Sequence, residues 1–401
     1  MPALTLPRLS QSPRDPAFVQ DPYGFYDRAR ARGPVVWWED YGMPVLVSHA
    51  AVTAALKHRR LARVPPGGLP PFPPGLSAFG RVESLSLLSL DGPAHGRLRA
   101  QVLRDFTSRR IAALAPEIAA LCHRLIDRFP AGTFDLIPAF CEQVPVIVIA
   151  RLLGVPEAMA PQLLVWSHAM VAMYRPGVTA VEIAGAEAAS AEFHDWLSDV
   201  VAAKDPGGAD LLAALRLAET ENRLSRDETV ATAILLLNAG HEATVHALGL
   251  AVWRLQERGD GVALTRPDAV AATVEEALRV DPPLHVFTRF VHEPAEIAGH
   301  AFRPGDQVAC LLGAANRDPA AYDDPGGFYP GRPGPTLTSF GAGVHFCLGA
   351  PLARLEMQIA LTTLFDRCPG LTLAAPPRVA DIYHFRGLQA LPVVSGSGST
   401  G

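Results

Sequence analysis

Cys347 stands in the segment Phe340-Gly-Ala-Gly-Val-His-Phe-Cys-Leu-Gly349, with glycines on both sides and His345 two residues upstream. The following stretch, Ala350-Pro-Leu-Ala-Arg-Leu-Glu356, reads as the opening turns of a helix, with Pro351 in the first turn. A thiolate at a helix N-terminus is stabilised by the positive end of the dipole and by unsatisfied N–H groups, so its pKa falls. Gly341 and Gly343 allow dihedrals that other residues resist, and Gly349 lets backbone come close to the sulfur. A lone, electron-rich sulfur presented in this way suits a haem iron, where thiolate donation favours O–O cleavage.

Three other groups of residues could support such chemistry. Glu276-Ala-Leu-Arg279 places an acid and a base on one helical face, and Asp324-Pro-Gly-Gly-Phe-Tyr-Pro-Gly-Arg332 brings a second arginine before the Cys347 segment. His95 and Arg99 are four residues apart in His95-Gly-Arg-Leu-Arg99, so they share a helical face and can offer two donors to an anion. Ile234-Leu-Leu-Leu-Asn-Ala-Gly-His-Glu-Ala-Thr244 is apolar nearly all round, which requires burial, yet it carries an acid, Glu242, near its centre.

The Cys347 segment resembles the haem-binding signature of the cytochrome P-450 family, Phe-Gly-x-Gly-x-His-x-Cys-x-Gly, with each fixed position filled. Carried over residue by residue, the resemblance makes Cys347 the iron ligand and gives Phe340, His345 and Gly349 places around the cofactor. It implies that His95, Arg99, Arg289 and His345 hold the haem propionates, and that Ala239 and Gly240 line the cofactor. Glu276, Arg279 and Arg332 become a buried charge network bracing the cysteine loop. Leu284, Val286, Phe287 and Phe385 match positions where family members line the substrate pocket.

The family commonly carries an acid followed directly by an alcohol in its long helix, the pair that delivers protons during oxygen activation. Here the acid is Glu242, the alcohol position is Ala243, and the hydroxyl is displaced to Thr244. A helix turns about 100° per residue, so Thr244 points away from the face shared by Ala239, Ala243 and Ala247. Protons must then come through ordered water, Glu242, Thr244 by a helix distortion, or a substrate hydroxyl. A substrate group or bound water is the expected source.

The elements that position these residues are mostly helical. A helix is expected from about Ser225 to Gly259, opened by the capping box Ser225-Arg-Asp-Glu228 and long enough, at roughly 50 Å, to cross a domain. Pro44-Val-Leu-Val47 and Gln307-Val-Ala-Cys-Leu-Leu312 read as strands. Val64 to Ser77 is too proline-rich for a sustained helix, and Tyr174-Arg-Pro-Gly177 interrupts two helical patterns. Both correspond to mobile lids in the family. The expected fold is mainly α with small β-sheets, a cytochrome P-450 fold whose long central helix crosses one catalytic domain over 1–394. Residues 395–401 read as a flexible tail of the kind cloning leaves.

Composition narrows the partners. A net charge of -5 and a pI near 6.2 give no electrostatic case for nucleic acid, and 49% hydrophobic residues suffice for a large core. Five cysteines without a C-x-x-C pair argue against a disulfide framework or structural zinc. The absence of a signal-like or membrane-spanning run predicts a cytoplasmic protein that binds no membrane, and a monomer is expected. The resemblance implies haem b (iron protoporphyrin IX), a hydrophobic small-molecule substrate, and insertion of one oxygen atom from O2. Electrons would come from NAD(P)H through a separate reductase and a ferredoxin or flavodoxin, docking near Arg104, Arg109 and Arg354. Two rivals stand beside this: a peroxide-dependent peroxygenase, and a haem-thiolate sensor without turnover. No G-x-S-x-G elbow supports hydrolase chemistry.

Overall fold

Ser225 starts the longest helix with a reciprocal cap. Its Oγ accepts the Glu228 N–H at 3.1 Å, and the Glu228 carboxylate accepts the Ser225 N–H at 2.9 Å. The helix then runs unbroken over Arg226–Arg258, 33 residues, as its sequence predicts. This computed structural model describes residues 6–396 apart from Pro176, so most of the tail expected over 395–401 lies outside the described residues.

The helices that matter for the site are α1 (Ser77–Glu83), α2 (Gly92–Asp105), α3 (Ala160–Val171), α4 (Ala180–Ala203), α5 (Arg226–Arg258), α6 (Val270–Val280) and α7 (Ala350–Arg367). The chain divides into two compact units, and the division falls within α5 at Glu242 and Ala243.

One unit, Gly67–Ala115 with Glu142–Glu242, is helical. Trp166 of α3 stacks on Phe193 of α4 with ring centroids 4.7 Å apart, and Trp166 Nε1–H donates to Glu192. The proline-rich stretch before α1 carries no regular element. Glu187 of α4 then caps the start of α1, accepting the Ala78 and Phe79 N–H groups and the Ser77 hydroxyl. The α1 end is tied by Tyr174, whose hydroxyl donates to Glu83 at 2.8 Å.

The other unit, Met1–Pro66, Pro116–Cys141 and Ala243–Gly401, carries the main sheet. Its strands are β1 (Arg8–Leu9), β2 (Val35–Trp38), β3 (Met43–Leu46), β4 (Leu61–Ala62), β5 (Val286–Val291) and β6 (Gln307–Leu311), in the order β1-β2-β3-β6-β5-β4. β3 and β6 are parallel, with Val45 opposite Ala309 and Leu46 opposite Cys310; β5 and β6 are antiparallel, with Phe287 opposite Cys310. The period-two rule sorts their side chains between two cores. Leu46, Val308 and Cys310 enter one with Val52, Leu56 and Val291, while Val45, Ala309 and Leu311 enter the other with Phe25, Tyr26 and Trp38. Among the described residues, no helix is long and apolar enough to cross a membrane.

Candidate active site

The cysteine loop is shaped by its glycines. Gly341 and Gly343 have φ of +68° and +74°, the left-handed region that side-chain-bearing residues avoid. At Gly343 a Cβ would stand 2.5 Å from the Leu56 carbonyl oxygen, so this residue must be glycine on two counts. At Gly341 the missing Cβ makes room for Phe287 of β5, whose Cε2 would lie 3.2 Å from it. Gly349 is different: a Cβ there would meet Cys347 Sγ at 3.8 Å, an ordinary contact, so closeness to the sulfur does not by itself demand glycine. The loop closes through Cys347 N–H donating to the Phe340 carbonyl at 3.0 Å, and α7 follows with Pro351 in its first turn. Cys347 is exposed, whereas Cys122, Cys141, Cys310 and Cys368 are buried.

A buried charge network braces the same unit. Glu276 on α6 accepts from Arg279 through both oxygens at 2.8 Å, from Arg332 Nε at 2.9 Å and from the Tyr329 N–H at 2.8 Å. Arg279 also donates to the carbonyls of Asn316, Pro325 and Gly327, and Arg332 to that of Gly327. The guanidiniums thus satisfy backbone that no helix or strand would satisfy. The structure brings together the three residues that the family resemblance implied would form one network.

The expected pocket residues also converge. Leu284 and Phe385 form an isolated antiparallel bridge, and Leu284, Val286, Phe287 and Phe385 are all half-buried. Arg386 beside them is not available to a substrate carboxylate. Its Nε donates to Asp281 at 2.6 Å, and its two terminal nitrogens donate to the carbonyls of Val19 and Gln20. Arg289 on β5 is buried and donates to its neighbour's carbonyl, Thr288 O. His345 is half-buried in the cysteine loop.

In the helical unit His95 is buried on α2 and Arg99 is half-buried one turn on. Midway along α5, where the preceding residues are buried, Ala239 is exposed and Ala243 half-exposed, while Thr244 is buried. The small residues therefore leave one stretch of the helix open. Gly240 serves a different contact: Ile149 occupies the space its Cβ would need, at 2.7 Å, so this glycine allows close helix–helix approach.

Glu242 lies near two imidazoles. His168 Nε2 on α3 is 3.6 Å from Glu242 Oε2, and His241 Nε2 is 3.7 Å from the same oxygen. His241 Nδ1 is 2.7 Å from the Leu237 carbonyl, which fixes the proton on Nδ1 when the ring is neutral. His168 was not singled out by the sequence. Its approach to Glu242 joins helices far apart in the chain, and no local signal in the largely apolar α3 points to it.

Comparison with known proteins decides the family. The cytochrome P-450 family model matches residues 268–373, which hold the Glu276 network and the Cys347 loop. The cytochrome P-450 monooxygenase PikC of Streptomyces venezuelae is 35% identical, over 98% of this chain and 94% of its own.

The chain belongs to the cytochrome P-450 family.

Among this P-450's other relatives, 6-deoxyerythronolide B hydroxylase of Saccharopolyspora erythraea is 34% identical, over 89% of this chain and 91% of its own. The crystal structure of P450BioI in complex with hexadec-9Z-enoic acid ligated acyl carrier protein matches with a TM-score of 0.88 at 31% identity, covering 94% of this chain and 99% of that one. The P-450 fold, mainly α with small sheets, is thereby established, and with it an oxidoreductase that uses haem. The cysteine loop fits such a group: an exposed thiol held between left-handed glycines just before a helix.

Proposed function

We propose that this P-450 is a haem-thiolate monooxygenase acting on a hydrophobic small molecule, with residues 1–394 as its catalytic domain. The observation that carries this reading is Cys347: alone among the cysteines in being exposed, it is held by Gly341 and Gly343 just before the first turn of α7. Bound there, haem b would supply the chemistry of inserting one oxygen atom from O2 into a C–H or C=C bond.

The chain's own residues supply the rest. Cys347 would give the thiolate that holds the iron, and Phe340 and Gly349 would lie beside it. His95, Arg99, Arg289 and His345 would pair with the propionates, since Arg and His are the donor set that carboxylates favour. Ala239 and Ala243 would keep α5 low enough for substrate and oxygen to approach. Glu242 would hold the proton for delivery, with water or a substrate hydroxyl completing the path that Ala243 lacks. Leu284, Val286, Phe287 and Phe385 would exclude water and orient the substrate. The names of the relatives, a 6-deoxyerythronolide B hydroxylase and a P-450 bound to an acyl-loaded carrier protein, support a bulky, largely apolar substrate.

Electrons would arrive from NAD(P)H through a separate reductase and a ferredoxin or flavodoxin. Arg104 and Arg109 are exposed and suit an acidic partner. Arg354 does not: its guanidinium pairs with Glu275 and lies 4.4 Å from the Phe340 ring, so it steadies the cysteine loop instead.

The test is optical. The reduced, carbon-monoxide-treated protein is expected to show the red-shifted Soret band of thiolate coordination, and Cys347→Ala to lose it. An unshifted band in the wild type, or the same band in Cys347→Ala, overturns the reading. Steady turnover with hydrogen peroxide but none with any reductase would replace it by a peroxygenase.

A further inference from the structure

At the C-terminal end of α5 lies a cavity of about 210 Å³ lined by Arg254, Glu257, Arg258, Val280, Arg317 and Phe328, with Gly326. It is built from the sheet-bearing unit alone and shares no residue with the proposed haem site. Its arginines are unequal. Arg254 donates to Asp281 at 2.7 and 3.0 Å and to Glu257 at 2.9 Å. Arg258 is matched by Asp260 at 2.7 Å and lies 5.4 Å from the Phe328 ring. Buried Asp281, behind the cavity, is shared with Arg386.

Arg317 is the exception. Its Nε donates to the Val280 carbonyl at 2.7 Å, capping α6, and its guanidinium lies 3.2 Å from the Tyr23 ring. Its two terminal nitrogens make no hydrogen bond to protein, and it has no salt bridge to a carboxylate among the described residues. Four guanidiniums, those of Arg254, Arg258, Arg317 and Arg386, therefore face three carboxylates, those of Glu257, Asp260 and Asp281. Among the described residues the cluster is one negative charge short, and Arg317, on the wall of the cavity, feels Asp281 through space but contacts no carboxylate.

We infer that this cavity is a binding site for a small oxyanion, a phosphate or carboxylate, held by the terminal nitrogens of Arg317 with Arg258 alongside. A planar guanidinium with two free N–H edges matches such an anion in both charge and geometry. Arg317 is positioned in advance by its Nε bond and by the Tyr23 face, so little ordering is needed when the anion arrives. Phe328 gives one wall of the cavity an apolar surface that a short carbon stem on the anion could cover.

The probe is inorganic phosphate, added to the purified holoenzyme at fixed pH and constant ionic strength, with chloride as the comparison. Calorimetry is expected to show saturable binding of phosphate, and the thermal midpoint to rise with it. Arg317→Gln should weaken the affinity at least about tenfold, as loss of a charge-assisted contact predicts. Arg258→Gln should weaken it to a smaller extent and covers the case in which Arg317→Gln does not fold. Arg8→Gln, at an exposed arginine of β1 paired with Glu39, should change nothing. No saturable binding, equal stabilisation by chloride, or unchanged affinity in Arg317→Gln or in its substitute Arg258→Gln would overturn the site. The carbon-monoxide band is independent of all these outcomes.

Discussion

Glu276 and Arg332 meet at 2.9 Å although they are 56 residues apart in sequence, and both are buried or nearly so. Arg332 is thus the clasp that holds the meandering segment before the cysteine loop to α6. Replacing it by alanine leaves Glu276 with one guanidinium rather than two and strands the Asp323 carbonyl, while the Gly327 carbonyl keeps only its bond from Arg279. Removing one partner of a buried pair costs about 3–5 kcal/mol. Arg332→Ala should lower the urea midpoint of unfolding accordingly and release haem at lower denaturant than the wild type. A midpoint within error of the wild type would show that the network does not brace the loop.

The glycines of the cysteine loop should not be equivalent. Gly343→Ala forces a side chain into left-handed backbone, which costs about 1–3 kcal/mol, and drives its Cβ against the Leu56 carbonyl. Gly349→Ala meets only an ordinary contact with Cys347 Sγ. Thermal melts of both variants should show a clear loss for the first and a small one for the second. Equal losses would mean that the loop reshapes around either residue.

Ala243→Thr restores the alcohol that the family commonly carries beside the acid. If water or a substrate hydroxyl already completes the proton path, the ratio of product formed to NAD(P)H consumed should change little. General acid–base groups contribute about 10²–10⁴-fold where they act, so a real deficit would be easy to see repaired. A large gain in coupling, measured with a substrate found by the haem spectral shift, would count against substrate assistance.

His285 should make stability fall on the acid side of neutrality. Burial holds its imidazole down at about 3, with the nearby Arg386 adding to the effect, against 6.5 for an ordinary histidine. Folded protein therefore keeps His285 neutral where the unfolded chain takes up a proton. The stability it contributes is present above about pH 6.5 and is lost progressively as pH falls towards 3. His285→Gln should flatten the pH dependence of the unfolding free energy across that window. An unchanged slope would place the acid sensitivity elsewhere.

Much of this was legible in the sequence because the signals are local. The cysteine segment, the Ser225–Glu228 cap and the Glu276–Arg279 pair each lie within a few residues, where periodicity and dihedral preference act directly. The strands at Pro44 and Gln307 were readable as apolar runs, but their parallel pairing was not, since register depends on which cores the two faces meet. Nothing local distinguishes Arg354, which steadies Phe340, from Arg104 and Arg109, which stay at the surface. Nor does any local rule reveal that Ile149 fills the space above Gly240, that His168 approaches Glu242, or that Arg386 is taken up by Asp281. Those facts belong to tertiary approach, on which the spacing of residues along one segment is silent.

The pairing of Val45 with Ala309 has a consequence for how the protein is made. When β2 and β3 leave the ribosome, the strand that completes their edge has yet to be synthesised. Until then the nascent chain carries an apolar hairpin with one side unzipped, the state most open to wrong partners. Closure of the sheet, late and long-range, is therefore the step at which a chaperone would matter most to this enzyme's yield.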